Sequence, residues 1–401
     1  MKNDVQLPPD LPRFEGGRSL MIGSAIAGAA GLFLTLIGVL TNPRDALLAY
    51  LVAFAYWIFM VLGALALVMA NHTAGARWNV VVRRISESIA APIPIFLVLF
   101  LPLLLGARHV WSWVAPEAVG KEFAEEIHHK AAWLNLPFFA VRLLLYFGVW
   151  TLLAWLLRSW SLAQDDDGAV TWTQKMRKLS PGGLIALALT LTFASFDWIM
   201  SLSPLWYSTI FGLYVFAGGF VGSLALTCIV VTGIRSGTEP LARLITVEHQ
   251  HNLAKLLLAF VAFWAYMGFS QYMLIWAGNL PEEIPFITIR SHGPWRALGI
   301  LLILGHFALP FLLLLSRDLK RRTGPLAAVS AWLLVVHYLD VYWLVMPTWH
   351  VNDLGFHWTH LTSLIGIGGL TVAAALFLLR GRYALPVKDP YLEDSLRYAQ
   401  P

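Results

Sequence analysis

Apolar runs divide the chain into ten segments, at approximately 20–40, 46–70, 89–106, 134–157, 183–202, 207–232, 252–277, 295–315, 326–346 and 358–379. Most approach or exceed the roughly 20 residues that a helix needs to cross a bilayer. The third is interrupted by Pro92, Pro94 and Pro102, whose freed carbonyls buried neighbours can satisfy. An even number of crossings puts both termini on one side. Short connections favour antiparallel neighbours and hence up-down helix bundles. The expected fold is therefore an all-α integral membrane protein of about ten transmembrane helices. Runs two to five and six to nine would form two up-down four-helix bundles, with the first and last helices peripheral. In residues, that places a tail at 1–19, the first peripheral helix at 20–45 and the first bundle at 46–206. The second bundle follows at 207–350, then the last peripheral helix at 351–380 and a tail at 381–401.

Composition agrees. The 401 residues are 58% hydrophobic and only 13% charged, where a soluble domain carries about 25% charged residues. The pI near 9.3 does not indicate a nucleic-acid patch, because the cations sit in short loops between apolar runs. The tails and the loops on their side hold twenty Lys and Arg, and the opposite loops only Arg44, Arg108, Lys121, Lys130, Arg290 and Arg296. The positive-inside rule then makes both termini cytoplasmic. The polar N-terminal stretch, with Pro8, Pro9 and Pro12, lacks a cleavable signal pattern. A single cysteine, Cys228, excludes a disulfide framework, a cysteine-held iron–sulfur cluster and covalently attached haem c within this chain. The two larger outer loops, 107–133 and 279–294, are too short to fold as domains, so soluble chemistry would come from partner subunits.

Ionisable side chains inside spans are costly and mark functional positions. They are Arg142 and Asp197 in the first bundle, and Lys255, His306, His337 and Asp340 in the second. His306 and His337 each lie roughly 16 Å inside their spans, and Asp340 shares a face with His337 one turn on. These three could form a proton relay; the alternative is an interhelical polar clamp. Arg142 and Asp197 read equally as a buried ion pair or as a second polar, quinone-binding site. At the start of the seventh run Glu248, His249 and His251 form a polar cluster. Helical periodicity puts Glu248, His251, Lys255, Tyr266 and Ser270 near one stripe, a candidate mouth and route for protons. The bland alternatives are a solvated helix start and a Lys255 that snorkels to the interface.

Histidine has two other uses in a membrane protein, haem ligation and metal binding. A bis-histidine haem b needs two imidazoles facing across a bundle; His306 and His337 offer one pair, while His350, His357 and His360 lie in or beside a loop. His128 and His129 are adjacent and point apart on a helix, so no metal site is expected. Trp198, Trp206, Tyr207, Trp343, Trp349 and Trp358 suit an interfacial aromatic belt.

Three motifs carry a family resemblance. The first is Lys130-Ala131-Ala132-Trp133-Leu134-Asn135-Leu136-Pro137-Phe138-Phe139 with Arg142 and Tyr146. The second is Ser195-Phe196-Asp197-Trp198-Ile199-Met200-Ser201-Leu202 running into Trp206-Tyr207-Ser208-Thr209-Ile210-Phe211-Gly212. The third is FWAYMGFSQYMLIW followed by Asn279-Leu280-Pro281-Glu282-Glu283. From the second run to the tenth, the chain resembles the large membrane subunits of bacterial alternative complex III. Those subunits belong to the NrfD-like, polysulfide-reductase membrane-anchor family, and the chain looks more like the smaller of the two. The resemblance implies a quinol:electron-acceptor oxidoreductase complex in which menaquinol is oxidised and electrons pass to partner iron–sulfur and haem c subunits. The quinol pocket of such complexes lies in a sister ten-helix subunit. This chain would then be a scaffold and candidate proton route, binding no covalent cofactor, with menaquinone or a structural lipid as the non-covalent candidates. Glu248, His251 and Lys255 would form the cytoplasmic mouth, His306 and His337 the middle, and Asp340 the outer step. Direct quinone binding by this chain, or a stand-alone transporter, are the alternatives.

Overall fold

A computed structural model describes residues 13–238 and 240–399. Most of the predicted N-terminal tail, including Lys2, lies outside them. Among the described residues there are no strands, and ten helices are long and apolar enough to cross a membrane. They are α1 (Arg18–Thr41), α2 (Pro43–Thr73), α3 (Val80–Leu105), α4 (Leu136–Asp167), α5 (Val170–Leu202), α6 (Phe211–Arg235), α7 (Val247–Gly278), α8 (Gly293–Leu315), α9 (Thr323–Thr348) and α10 (Thr359–Leu379).

α2 is the axle. Pro43 occupies its first turn and the Asn42 side chain accepts from the Asp45 N–H, a start that suits an N-cap. From Ala46 to Met69 every residue except Trp57 is buried. A helix apolar on all sides can only be stable when surrounded, and α2 touches α3, α5, α6, α9 and α10. The first bundle closes as a ring in which α2 meets α3, α3 meets α4, α4 meets α5 and α5 returns to α2. In the second bundle α6 meets α7 and α9, and α8 packs against both α7 and α9. α10 lies against α2, and α1 lies against α10. That last contact is a small-residue seam. A Cβ on Gly31 would come within 2.6 Å of the Thr362 carbonyl, so only glycine allows this approach. The Thr35 and Thr362 hydroxyls meet across it at 2.9 Å.

The segments before α1 and after α10 pair with each other, Phe14 N–H to the Arg382 carbonyl at 2.7 Å and Gly381 N–H to the Phe14 carbonyl at 2.9 Å. The ends of the described chain therefore share one face, called here the terminal face.

Several boundaries differ from the apolar pattern. α4 and α5 run far beyond the apolar stretches at 134–157 and 183–202 and meet at Gly168 (φ 71°). Propensity and tertiary contact carry a helix past its apolar core, so what reads as a loop at 158–182 is almost wholly helical. α3 begins at Val80, before the run at 89–106, with helical pieces on either side of Pro92. Arg83 and Arg84 are consequently not loop cations. They are 4% and 0% exposed and paired. Arg83 bonds Glu87 at 3.0 Å and Asp389 at 2.6 Å, and Arg84 bonds Asp165 at 2.6 Å. Trp198 and Trp206 also depart from the belt expectation, at 0% and 5% exposure. Trp198 packs edge-on to Phe54 and Trp150 inside the first bundle.

Candidate functional site

The second bundle encloses a cluster drawn from all four of its helices. Asp340 and His337 project inward from α9, 2% exposed each. The Asp340 carboxylate accepts from the Tyr214 hydroxyl of α6 at 2.5 Å and from the Trp264 indole N–H of α7 at 3.0 Å. His337 Nδ1 stands 3.8 Å from Asp340 Oδ2, too long for a hydrogen bond. His306 of α8 is 1% exposed, its ring 5.9 Å from the His337 ring and nearly parallel to it. On its other side the Trp264 ring lies 4.0 Å away. Neither nitrogen of either histidine has a hydrogen-bond partner. Buried imidazole nitrogens are normally satisfied, so this pair is the least saturated polar group in the interior described here.

The local sequence explains the placement. Pro310 lacks the N–H that would bond the His306 carbonyl and would clash with it in a regular helix. The chain responds with a π-helical turn over Ile303–Ala308, the kind of widening that recurs at functional sites. The Trp332 indole donates to the Gly305 carbonyl at 2.7 Å and satisfies backbone freed there. On α6, Gly218 and Gly222 make room. A Cβ at Gly222 would fall 2.9 Å from the His337 ring, and one at Gly218 3.0 Å from it. The same packing bears on haem. With α6 backbone on His337 and an indole on His306, the pair offers no slot for a macrocycle, so these residues do not fit axial ligation. No group of three or more His, Cys, Asp or Glu among the described residues is arranged to hold a metal ion.

The first bundle holds the other predicted pair in a different condition. Arg142 grips Asp197 with two bonds of 2.8 Å, the Tyr146 hydroxyl donates to it at 2.7 Å and the Trp133 indole at 3.0 Å. The remaining Arg142 amine donates to the Trp133 carbonyl at 3.0 Å, with the guanidinium over the Trp133 ring at 4.1 Å. Four donors fill the carboxylate. No polar atom is left for a quinone head group, and the geometry favours the ion-pair alternative.

At the terminal face the predicted mouth is assembled in part. Glu248 pairs with Arg321 at 2.8 Å. His249 is structural. Its Nδ1 accepts from the Thr246 N–H at 2.9 Å, which fixes Nε2 as the donor to the Ser395 carbonyl at 3.0 Å. The ring thus caps α7 and fastens the C-terminal segment. His251 is buried, and Lys255 is half-buried. Lys320, just before α9, has its pKa pushed down by burial and by Lys255 nearby. The stripe along α7 does not continue inward. Tyr266 is 63% exposed and faces out, away from the cluster. The 3.6-residue repeat places residues relative to one another but cannot say which face is inside. The inward face carries Leu253, Leu257 and Val261 up to Trp264, so ~20 Å of apolar helix separates His251 from the cluster.

Tyr214, Trp264, Ser223 and Arg290 were not singled out from the sequence. Ser223 is buried with its hydroxyl unpaired, one residue from the glycine that touches His337. Its signal was hidden, because a serine in an apolar run reads as small packing. Of the three loop histidines, His350 lies 2.9 Å from both Asp45 and Asp353, and His360 meets the Tyr338 hydroxyl at 3.1 Å. No family model matches the chain, and no curated protein matches it either.

Proposed function

We propose that this protein is a membrane subunit of a quinol:electron-acceptor oxidoreductase of the alternative complex III kind. In this reading it serves as scaffold and as part of a proton-translocation route. Menaquinol oxidation would proceed in a sister subunit, with iron–sulfur and haem c centres in further partners. The support is the family resemblance of the three motifs together with one observation: a buried His306–His337–Asp340 cluster whose imidazole nitrogens are free. Histidine changes charge near neutral pH, and a fully buried, unsatisfied pair beside a carboxylate is suited to taking a proton up and giving it away. The terminal face, cytoplasmic in this reading, supplies Glu248, His251 and Lys255 as a mouth. The ~20 Å between mouth and cluster would be crossed by water.

His337→Ala or Asp340→Asn is expected to leave the complex assembled but lower the number of protons released per electron in proteoliposomes. Unchanged stoichiometry in both variants would sink the proton-route reading. Purification of the chain without iron–sulfur and haem partners would favour a stand-alone transporter instead. The direct quinone-binding alternative has less support, because the Asp197 carboxylate already has its full set of donors.

A further inference from the structure

α3 and α7 belong to different bundles, and both begin at the terminal face. A helix cannot satisfy its own first N–H groups. The residue before α3, Asn79, places no side-chain hydrogen bond on that helix. The hydroxyl that reaches the first turn comes from far along the chain. Ser395 Oγ accepts from the Val81 N–H at 3.2 Å and donates to the Trp78 carbonyl at 2.7 Å. An oxygen on an N–H of the first turn is what a helix cap supplies. The Ser395 carbonyl accepts in turn from His249 Nε2 at 3.0 Å, and that ring takes the Thr246 N–H at the start of α7. One fully buried residue therefore completes the starts of two helices, one in each bundle.

The segment that carries Ser395 is seated along its length. Leu385, Leu392 and Leu396 are buried. Asp389 is 5% exposed, and its carboxylate accepts from Arg83 of α3 at 2.6 Å and from the Tyr391 N–H at 2.8 Å. The second contact is the kind of Asx turn that bends a chain locally, and it leads into the short helix Leu392–Leu396. A further pair, Arg77 with Asp394 at 2.9 Å, is exposed, and exposed pairs contribute little. The hold on the segment is thus assigned to Asp389 and Ser395.

We propose that residues 385–396 form a strap that couples the two bundles at the terminal face. Asp389 locks the strap to α3, Ser395 joins α3 to α7, and loosening either end loosens the other. Glu248 and His251 lie within two residues of His249, so the strap also sets where these mouth residues stand. That last step rests on the proton-route reading; the coupling itself does not.

Hydrogen–deuterium exchange of the full-length protein in lipid tests the coupling, read on peptides covering 77–84 and 245–252. Asp389→Asn breaks a contact with α3, yet exchange should quicken in both peptides by about five-fold, the factor that goes with a helix cap of ordinary strength. His249→Ala breaks contacts at α7 and should likewise quicken both. Asp389→Asn/His249→Ala should be no faster in either peptide than the faster single variant, because both changes open the same strap. The proposal is overturned if each single variant changes only the peptide of the helix it contacts, or if the two effects multiply in the double variant. Should Asp389→Asn fail to fold, Ser395→Ala carries the test. Losing the hydroxyl from α3 should also quicken 245–252, and an unchanged 245–252 overturns the proposal. Coupled exchange in Asp389→Asn with proton release per electron unchanged would remove the mouth from the proton-route reading and leave the strap standing.

Discussion

Each bundle buries one aspartate on its fourth helix, and each aspartate accepts from one tyrosine hydroxyl and one tryptophan indole. For Asp197 these are Tyr146 and Trp133; for Asp340 they are Tyr214 and Trp264. The difference is what completes the shell. On Asp197 an arginine closes it with two direct bonds, leaving no free lone pair and no group that could change charge without breaking the pair. Around Asp340 two buried histidines with unpaired ring nitrogens stand where the first bundle has its arginine. The same acid is therefore fixed in one bundle and left responsive in the other. A saturated ion pair holds helices together, and an unsaturated one can accept a proton.

The largest test of that contrast is Arg142→Ala. Removing one partner from a buried ion pair strands the other charge and costs roughly 3–5 kcal/mol. The thermal stability of the purified protein, or its yield, should fall sharply, while Arg142→Ala/Asp197→Ala should recover part of the loss through coupling of neighbours. A normal yield and melting temperature for Arg142→Ala would remove the structural role assigned to the first site.

Next is a matched pair, Tyr146→Phe against Tyr214→Phe. A hydrogen bond to a charged group is worth roughly 1.5–3 kcal/mol. Asp197 keeps three donors without Tyr146, whereas Asp340 keeps only Trp264 without Tyr214. Tyr214→Phe should therefore disturb proton release per electron, with Tyr146→Phe affecting stability alone. Equal effects on proton release would mean that the two aspartates are not specialised.

The contrast was only half visible in the sequence. All five charged or histidine members at the two aspartate sites, Arg142, Asp197, His306, His337 and Asp340, stood out because ionisable groups in an apolar run are rare. The ten spans were legible for the same reason. The neutral donors Tyr214, Trp133 and Trp264 were not, since aromatic residues are abundant here and their N–H and O–H directions depend on tertiary packing. The Arg83–Arg84 pair looked like loop cations because hydropathy registers the run of apolar residues, not the helix that extends beyond it, and Arg290 because its short helix, Ile284–Arg290, lies between two spans. The π-turn at His306 had a local signal in Pro310, but a proline alone does not specify whether a helix kinks, breaks or widens.

The smallest expected effect concerns the face of α7. Periodicity put Tyr266 on the same stripe as His251 and Lys255, yet at Tyr266 that stripe faces outward and the helix presents Trp264 to the cluster. Tyr266→Phe removes a hydroxyl from a side chain that is 63% exposed, and substitutions of that kind usually stay within about 0.5 kcal/mol. Trp264→Phe deletes one of the two donors to Asp340 and opens space beside His306. Proton release per electron should therefore be untouched in Tyr266→Phe and reduced in Trp264→Phe, with both complexes assembled. The reverse ranking would mean that the proton path follows the outer stripe of α7 after all, and that the enclosed histidine pair is the clamp.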